Sequence, residues 1–152
     1  MSVFAGGKVA CVSTRDHAAR YDDRAAREVG DLRVFGAAAH TPRSFAAPYL
    51  DAEWLIRRLT VPGSRFLDIG CGTGGFSVPP ALDGASVVGV DASLVSLRLA
   101  MQRQEMLAVE DAQPSLSFLA ADIHRLPFAD ATFDVVTSYG VLSYLNRDVA
   151  LR

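Results

Sequence analysis

The run Arg65-Phe66-Leu67-Asp68-Ile69-Gly70-Cys71-Gly72-Thr73-Gly74-Gly75 constrains this chain more than any other stretch. A short apolar segment carrying one acid breaks into glycines, which lack Cβ and let the backbone turn tightly and lie close to a ligand. A strand that passes through a glycine turn into a helix belongs to a parallel α/β sheet with a nucleotide-type site at its strand ends. The acid narrows the ligand. A carboxylate at Asp68, pointing into the crevice at the glycines, suits a cationic or hydroxyl-bearing ligand end better than a pyrophosphate.

The chain on either side repeats the pattern. Tyr49, Leu50, Trp54, Leu55 and Leu59 fall close to helical spacing behind Pro48, and Val61-Pro62-Gly63-Ser64 ends that helix. Arg65 to Ile69 is the first predicted strand. A short helix follows to about Leu82, and Pro79-Pro80 make it begin late, near Ser77, or kink. Asp83-Gly84 turns into a second strand, Ala85 to Val90, closed by Asp91. Ser93 then caps a helix running to about Val109, with Leu94, Leu97, Met101 and Leu107 in its buried stripe. Leu116 to Ala121 is a third strand, closed by Asp122. The loop Leu126-Pro127-Phe128-Ala129-Asp130 leads to a fourth strand, Phe133 to Thr137, and Phe128, Phe133 and Tyr144 read as core. The order β-α-β-α-β-β predicts a doubly wound parallel sheet. Residues 1–47 read as an N-terminal helical and loop extension, with an exposed helix over Arg15 to Val29, and residues 48–152 as the ligand-binding domain.

Composition excludes some alternatives. A chain of 152 residues with 50% hydrophobic and 21% charged residues fits a single soluble globular domain. A net charge of −2 and no Lys/Arg run give no reason to expect a nucleic-acid partner. No stretch reaches the ~18 apolar residues of a membrane span, and Met1 to Ser13 lacks the features of a secretory peptide. The expected location is the cytoplasm. Cys11 and Cys71 fit no disulfide framework, and with His17, His40 and His124 they fit no metal-ligand spacing. Cys71 reads as a small packing residue of the turn rather than a nucleophile, since no histidine is placed in sequence to activate it.

Gly70, Gly72 and Gly75 also satisfy G-x-G-x-x-G, which by itself fits NAD as well as S-adenosyl-L-methionine (SAM). Three further features bear on the choice. A carboxylate at Asp68 would repel a pyrophosphate. Asp91 closes the next strand 23 residues later and suits two ribose hydroxyls, a device both cofactors share. Asp122 offers an acceptor for an adenine amino group, with Ile123 positioned to pack on the ring. Each such acid taken singly is a common cap or turn residue. Three at successive strand ends, on the edge where open α/β sheets bind ligands, read as a site.

With these motifs the chain resembles the class I SAM-dependent methyltransferases, and within them the small-molecule group that includes quinone-biosynthesis methyltransferases. The resemblance spans about Tyr49 to Leu145. It rests on Leu67-Asp68-Ile69-Gly70-Cys71-Gly72-Thr73-Gly74, on Gly89-Val90-Asp91-Ala92-Ser93, and on Ala121-Asp122 with the segment Leu126 to Asp134. It implies a Rossmann-like fold, SAM as cofactor and a small-molecule substrate. Asp68 and Gly70, with Cys71 beside them, would face the methionine moiety, and Gly72 and Gly74 would make room for it. Asp91, with Ala92, would hold the ribose. Asp122 and Ile123 would hold the adenine, and Tyr139, with Gly140 and Val141, would line the methyl-transfer side. Tyr21-Asp22 resembles an N-terminal pair that caps the cofactor in this group.

No catalytic residue emerges from this reading, although Tyr139 and His124 are the available bases. The family sheet has seven strands and this chain ends soon after the fourth. It therefore reads as the N-terminal part of a longer methyltransferase, with the fourth strand left as an edge open to pairing. The rivals are an NAD-dependent oxidoreductase and a non-catalytic module that binds cofactor or pairs with a partner chain.

Overall fold

In the computed structural model, residues 19, 22, 46–109 and 114–141 are described. Cys11, His17, Tyr21, His40 and Tyr144 lie outside them. So does the helix expected over Arg15 to Val29, save Ala19 and Asp22, which are both helical.

Helix α1 (Ala47–Leu59) starts with Pro48 in its first turn, where a missing N–H costs nothing. It ends at Thr60, whose Oγ1 and N–H both bond the Ile56 carbonyl. Strand β1 (Arg65–Ile69) follows, then α2 (Val78–Leu82), β2 (Ser86–Asp91), α3 (Leu94–Val109), β3 (Leu116–Ala120), a 3-10 turn (Ile123–Arg125) and β4 (Val135–Thr137). The prolines at 79 and 80 sit in the first turn of α2, directly after Ser77, so the helix begins late, as their chemistry requires.

All four strands are parallel, in the order β3-β2-β1-β4. The chain steps outward from β1 to β2 to β3, then crosses to the far side of β1 for β4. Such a reversal of direction opens a crevice beyond the carboxyl ends of the central strands. The register sets Phe66 beside Val87 and Val135, and Val87 beside Leu116. This row faces Ile56, Val78, Ala81 and Leu107 of the helices to form the core. Phe66, Leu67 and Asp68 are all buried, as befits a central parallel strand covered on both faces.

Four expectations need correction. The second strand runs from Ser86 to Asp91 rather than from Ala85 to Val90, so Asp91 is its last residue. The third strand closes at Ala120 rather than Ala121. The fourth begins at Val135 rather than Phe133, because the Asp134 side chain takes over part of the pairing. Its Oδ2 accepts the Arg65 N–H at 2.8 Å and its Oδ1 meets Arg65 Nη2 at 2.7 Å. Lastly, Leu94 and Met101 are about half exposed. The buried stripe of α3 runs instead through Ser96, Leu97, Ala100, Arg103 and Leu107. At 100° per residue, Leu94 and Met101 lie roughly 120° from its centre. Phe128 and Phe133 are half-buried and pack edge-on at 4.9 Å. Among the described residues, no strand pairs with the outer edge of β4, and no helix is long and apolar enough to cross a membrane.

Candidate functional site

The parallel sheet brings the carboxyl ends of its strands to one edge, and the polar residues singled out above collect there. The turn after β1 is tied to the end of β2: Gly70 and Cys71 both donate their N–H to Val90 O, at 2.8 and 3.0 Å. Gly72 donates its N–H to Asp91 Oδ2 at 2.8 Å. Gly72 has φ +54°, and a Cβ there would meet nothing within 4 Å, so the turn presents an open surface next to the Asp91 carboxylate. Gly74 differs. It is buried, and the space beside it is filled by Phe118 and Ala100, so packing within the domain accounts for that glycine.

Asp91 is half-buried and also accepts the Ser93 N–H at 2.8 Å. Burial lifts its carboxyl above the ordinary range, against the pull of the Ser93, Gly72 and Ala92 N–H groups. Ala92 itself is exposed beside it. Asp68 lies deeper, only 2% exposed. It shares a face with Phe66 two residues earlier, which turns it toward the helical layer. There Ser77 Oγ donates to its Oδ2 at 2.6 Å and Thr137 Oγ1 to its Oδ1 at 3.2 Å. Burial pushes this carboxyl up to about 6, although both hydroxyls act to lower it. Burial, then the charges of Asp68 and Asp91, raise the Cys71 thiol well above its usual range. Such a thiol stays protonated and packs.

Asp122 stands just past β3 and is exposed, its carboxyl held low by the His124 backbone N–H (3.0 Å) and by His124 Nδ1 (2.8 Å). Ile123 is half-buried at the start of the 3-10 turn. On the other flank, Tyr139 packs against Phe76 (4.8 Å) and Tyr49 (5.2 Å). Burial and the neighbouring Tyr49 raise its phenol.

The structure thus brings Gly70, Gly72, Asp91 and Ala92 together. Asp68 and Cys71 lie beneath them, Asp122 and Ile123 to one side and Tyr139 to the other. Asp22 caps the start of α3, accepting the Ser93 hydroxyl and the Val95 N–H (3.2 Å). Ser77, Thr137, Tyr49, Phe76 and Arg103 were not legible as site residues. Only the position of Ser77 at the start of a proline-delayed helix hinted at a polar role.

An open, parallel, doubly wound sheet with a glycine turn fastened to a strand-end acid defines a Rossmann-like α/β protein with a nucleotide-type crevice. The sequence matches the family described as "Methyltransferase domain" over residues 67–152, and the chain belongs to that family. It is 43% identical over 82 residues to a demethylmenaquinone methyltransferase of Renibacterium salmoninarum, a match covering 53% of this chain and 31% of that protein. To the protein of the same name from Beutenbergia cavernae it is 42% identical over 99 residues, covering 60% and 37%. The chain thus spans about a third of the length of these curated relatives. Among solved structures, magnesium protoporphyrin IX methyltransferase from Synechocystis PCC 6803, crystallised with SAM, shares the fold. Its TM-score is 0.69 at 21% identity, over 95% of this chain and 69% of that one.

Proposed function

We propose that this chain binds SAM and serves methyl transfer to a small-molecule acceptor. The observation that carries the reading is the open surface at Gly72 beside the half-buried Asp91 carboxylate. Asp91 uses one acceptor site on each of two N–H groups and keeps others for a pair of ribose hydroxyls. Asp122 and Ile123 would take the adenine, and Gly70 and Gly72 would carry the methionine end, over Cys71, while Gly74 serves the packing of the turn against Phe118 and Ala100. Asp68 stands below that end as a counter-charge already oriented by Ser77 and Thr137. Tyr139, with Phe76 and Tyr49, would wall the side where the acceptor arrives. When bound, the cofactor supplies an electrophilic methyl on a sulfonium, so the protein's task is alignment and exclusion of water. The family and the fold support this reading.

The unit that does this is residues 48–152, with residues 1–47 as an extension, and its place is the cytoplasm. A quinone-type acceptor is the substrate class that the named relatives favour. A second reading, partner pairing without turnover, draws on one feature: the outer edge of β4 has no strand against it among the described residues.

Calorimetric titration with S-adenosylhomocysteine, with NADH as control, tests the assignment. Saturable binding of the first alone is the expected result. Binding of NADH alone would overturn it. A folded dimer joined through β4 that binds neither would leave the pairing role.

A further inference from the structure

Helix α3 carries one charged side chain into the interior. Arg103 is 5% exposed, a burial that arginine tolerates only when its charge is met. Its Nη1 donates to Thr73 O at 2.6 Å and to Thr73 Oγ1 at 2.7 Å. Thr73 stands between Gly72 (φ +54°) and Gly74 (φ +85°) and carries the one hydroxyl in the turn from Gly70 to Gly75. A guanidinium reaching from a helix 30 residues further along therefore grips the most pliable part of the turn by both its polar handles.

Two consequences follow from the chemistry. Bonds from a cation are shorter and stronger than neutral ones, so they oppose the freedom that two flanking glycines give Thr73. A hydroxyl has one proton to give and two lone pairs to receive. With a guanidinium N–H on Oγ1, the proton of Thr73 must point away from the cation and is left to donate. Thr73 as a residue is partly exposed at the turn.

We propose that Arg103 is a positioning residue for the amino-acid end of the ligand. Acting through Thr73, it fixes the turn and presents the Thr73 hydroxyl as a donor to the ligand's carboxylate. The inference rests on the SAM reading above and adds to it a residue outside the crevice.

The test compares two ligands on the full chain: S-adenosylhomocysteine, which has the amino-acid end, and 5′-methylthioadenosine, which lacks it. Arg103→Met and Thr73→Val are expected to weaken the first by roughly tenfold or more, the worth of a charge-assisted hydrogen bond. The second ligand should keep its wild-type affinity. Thr73→Ser, which retains the hydroxyl, should bind both normally. The double variant should be no weaker than the worse single one, because both substitutions break one linkage. Thr73→Val keeps the carbonyl that Arg103 also holds, so the test survives if Arg103→Met does not fold. Equal losses for both ligands, or no loss for the first in a folded variant, would overturn the proposal. Wild-type chain that binds neither ligand would instead remove the cofactor reading, and this proposal with it.

Discussion

Gly72 gives its backbone N–H to the Asp91 carboxylate, so the glycine turn after β1 is fastened to the acid that closes β2. One carboxylate therefore both shapes the turn and stands ready for the ligand. Asp91→Ala removes both functions and strands the Gly72 and Ser93 N–H groups. We expect S-adenosylhomocysteine affinity to fall by roughly ten- to a hundredfold, the range for a bond to a charged group. Asp91→Asn keeps one carbonyl oxygen and should lose less. Wild-type affinity in the alanine variant would sink the ribose role.

Asp68 ties stability to pH in a direction opposite to most carboxylates. Its native pKa of about 6 lies above the ordinary 3.8, so the folded chain holds this proton more tightly than the unfolded one. The associated stability is full below about pH 4 and is lost as the pH rises through about 6. At about 1.36 kcal/mol per pH unit, the loss is at most about 3 kcal/mol. The Asp68→Asn variant would mimic the protonated form, since the Ser77 and Thr137 hydroxyls can rotate to donate or accept. Urea unfolding of wild type and Asp68→Asn at about pH 4.5 and about pH 7.5, on either side of the native pKa, should show the variant gaining on wild type at the higher pH. A difference that does not change with pH would contradict the burial argument.

The two glycines at the front of the turn should fail in different ways when given a side chain. Both have positive φ, which costs an L-residue roughly 1–2 kcal/mol. A Cβ on Gly70 would also run into the Val141 side chain, whereas one on Gly72 would meet nothing. Gly70→Ala is thus expected to lower the melting temperature more than Gly72→Ala. Gly72→Val should spare the fold comparatively and block the ligand. Thermal melts alongside ligand titrations separate the two, and unchanged ligand binding in Gly72→Val would count against the open surface.

Much of this arrangement is written in local pattern. Parallel strands buried on both faces leave near-continuous apolar runs, so Arg65–Ile69 and Ser86–Asp91 stand out with the acids that close or nearly close them. The depth of Asp68 is not local. It follows from the pleat, which turns Asp68 to the same side as Phe66, and from which side the helices cover. Arg103 is hidden for a related reason. An arginine set among Gln102, Gln104 and Glu105 reads as solvent-facing, as Arg98 of the same helix is, until the helix's rotation is known. The same rotation misplaced Leu94 and Met101. On α1 it left Leu50, Trp54, Leu55 and Leu59 about half exposed, while Ile56 alone is buried.

Gly89 shows a packing requirement of the same kind. It lies inside β2, beside Asp68 in the register, in ordinary extended backbone. A Cβ there would sit 2.7 Å from Phe118 Cδ1 and 3.0 Å from Cys71 Sγ. Phe118 in turn fills the space next to Gly74. Gly89→Ala must therefore push the Phe118 ring toward the turn or the thiol toward Asp68. Overpacking of this kind costs about 1–3 kcal/mol. Chemical denaturation should register that loss, and Phe118→Leu in the same chain should recover part of it by yielding the ring's space. Full stability in Gly89→Ala alone would mean that the ring moves freely and does not support the turn.

The last prediction joins Asp68 to the ligand. A cation arriving near Asp68 and Asp91 favours their ionised forms and lowers both raised pKa values. Binding of SAM should then expel protons at about pH 6, where Asp68 is part-protonated, and far fewer at about pH 8, where it is already ionised. By the same linkage, affinity should rise as the pH climbs through about 6. Calorimetry at each pH in two buffers of unlike ionisation enthalpy counts the protons directly. Asp68→Asn should reduce the release at the lower pH, leaving the share that belongs to Asp91. Equal heats in both buffers at that pH, with the ligand bound, would mean that its cationic end lies too far from Asp68 to feel the charge.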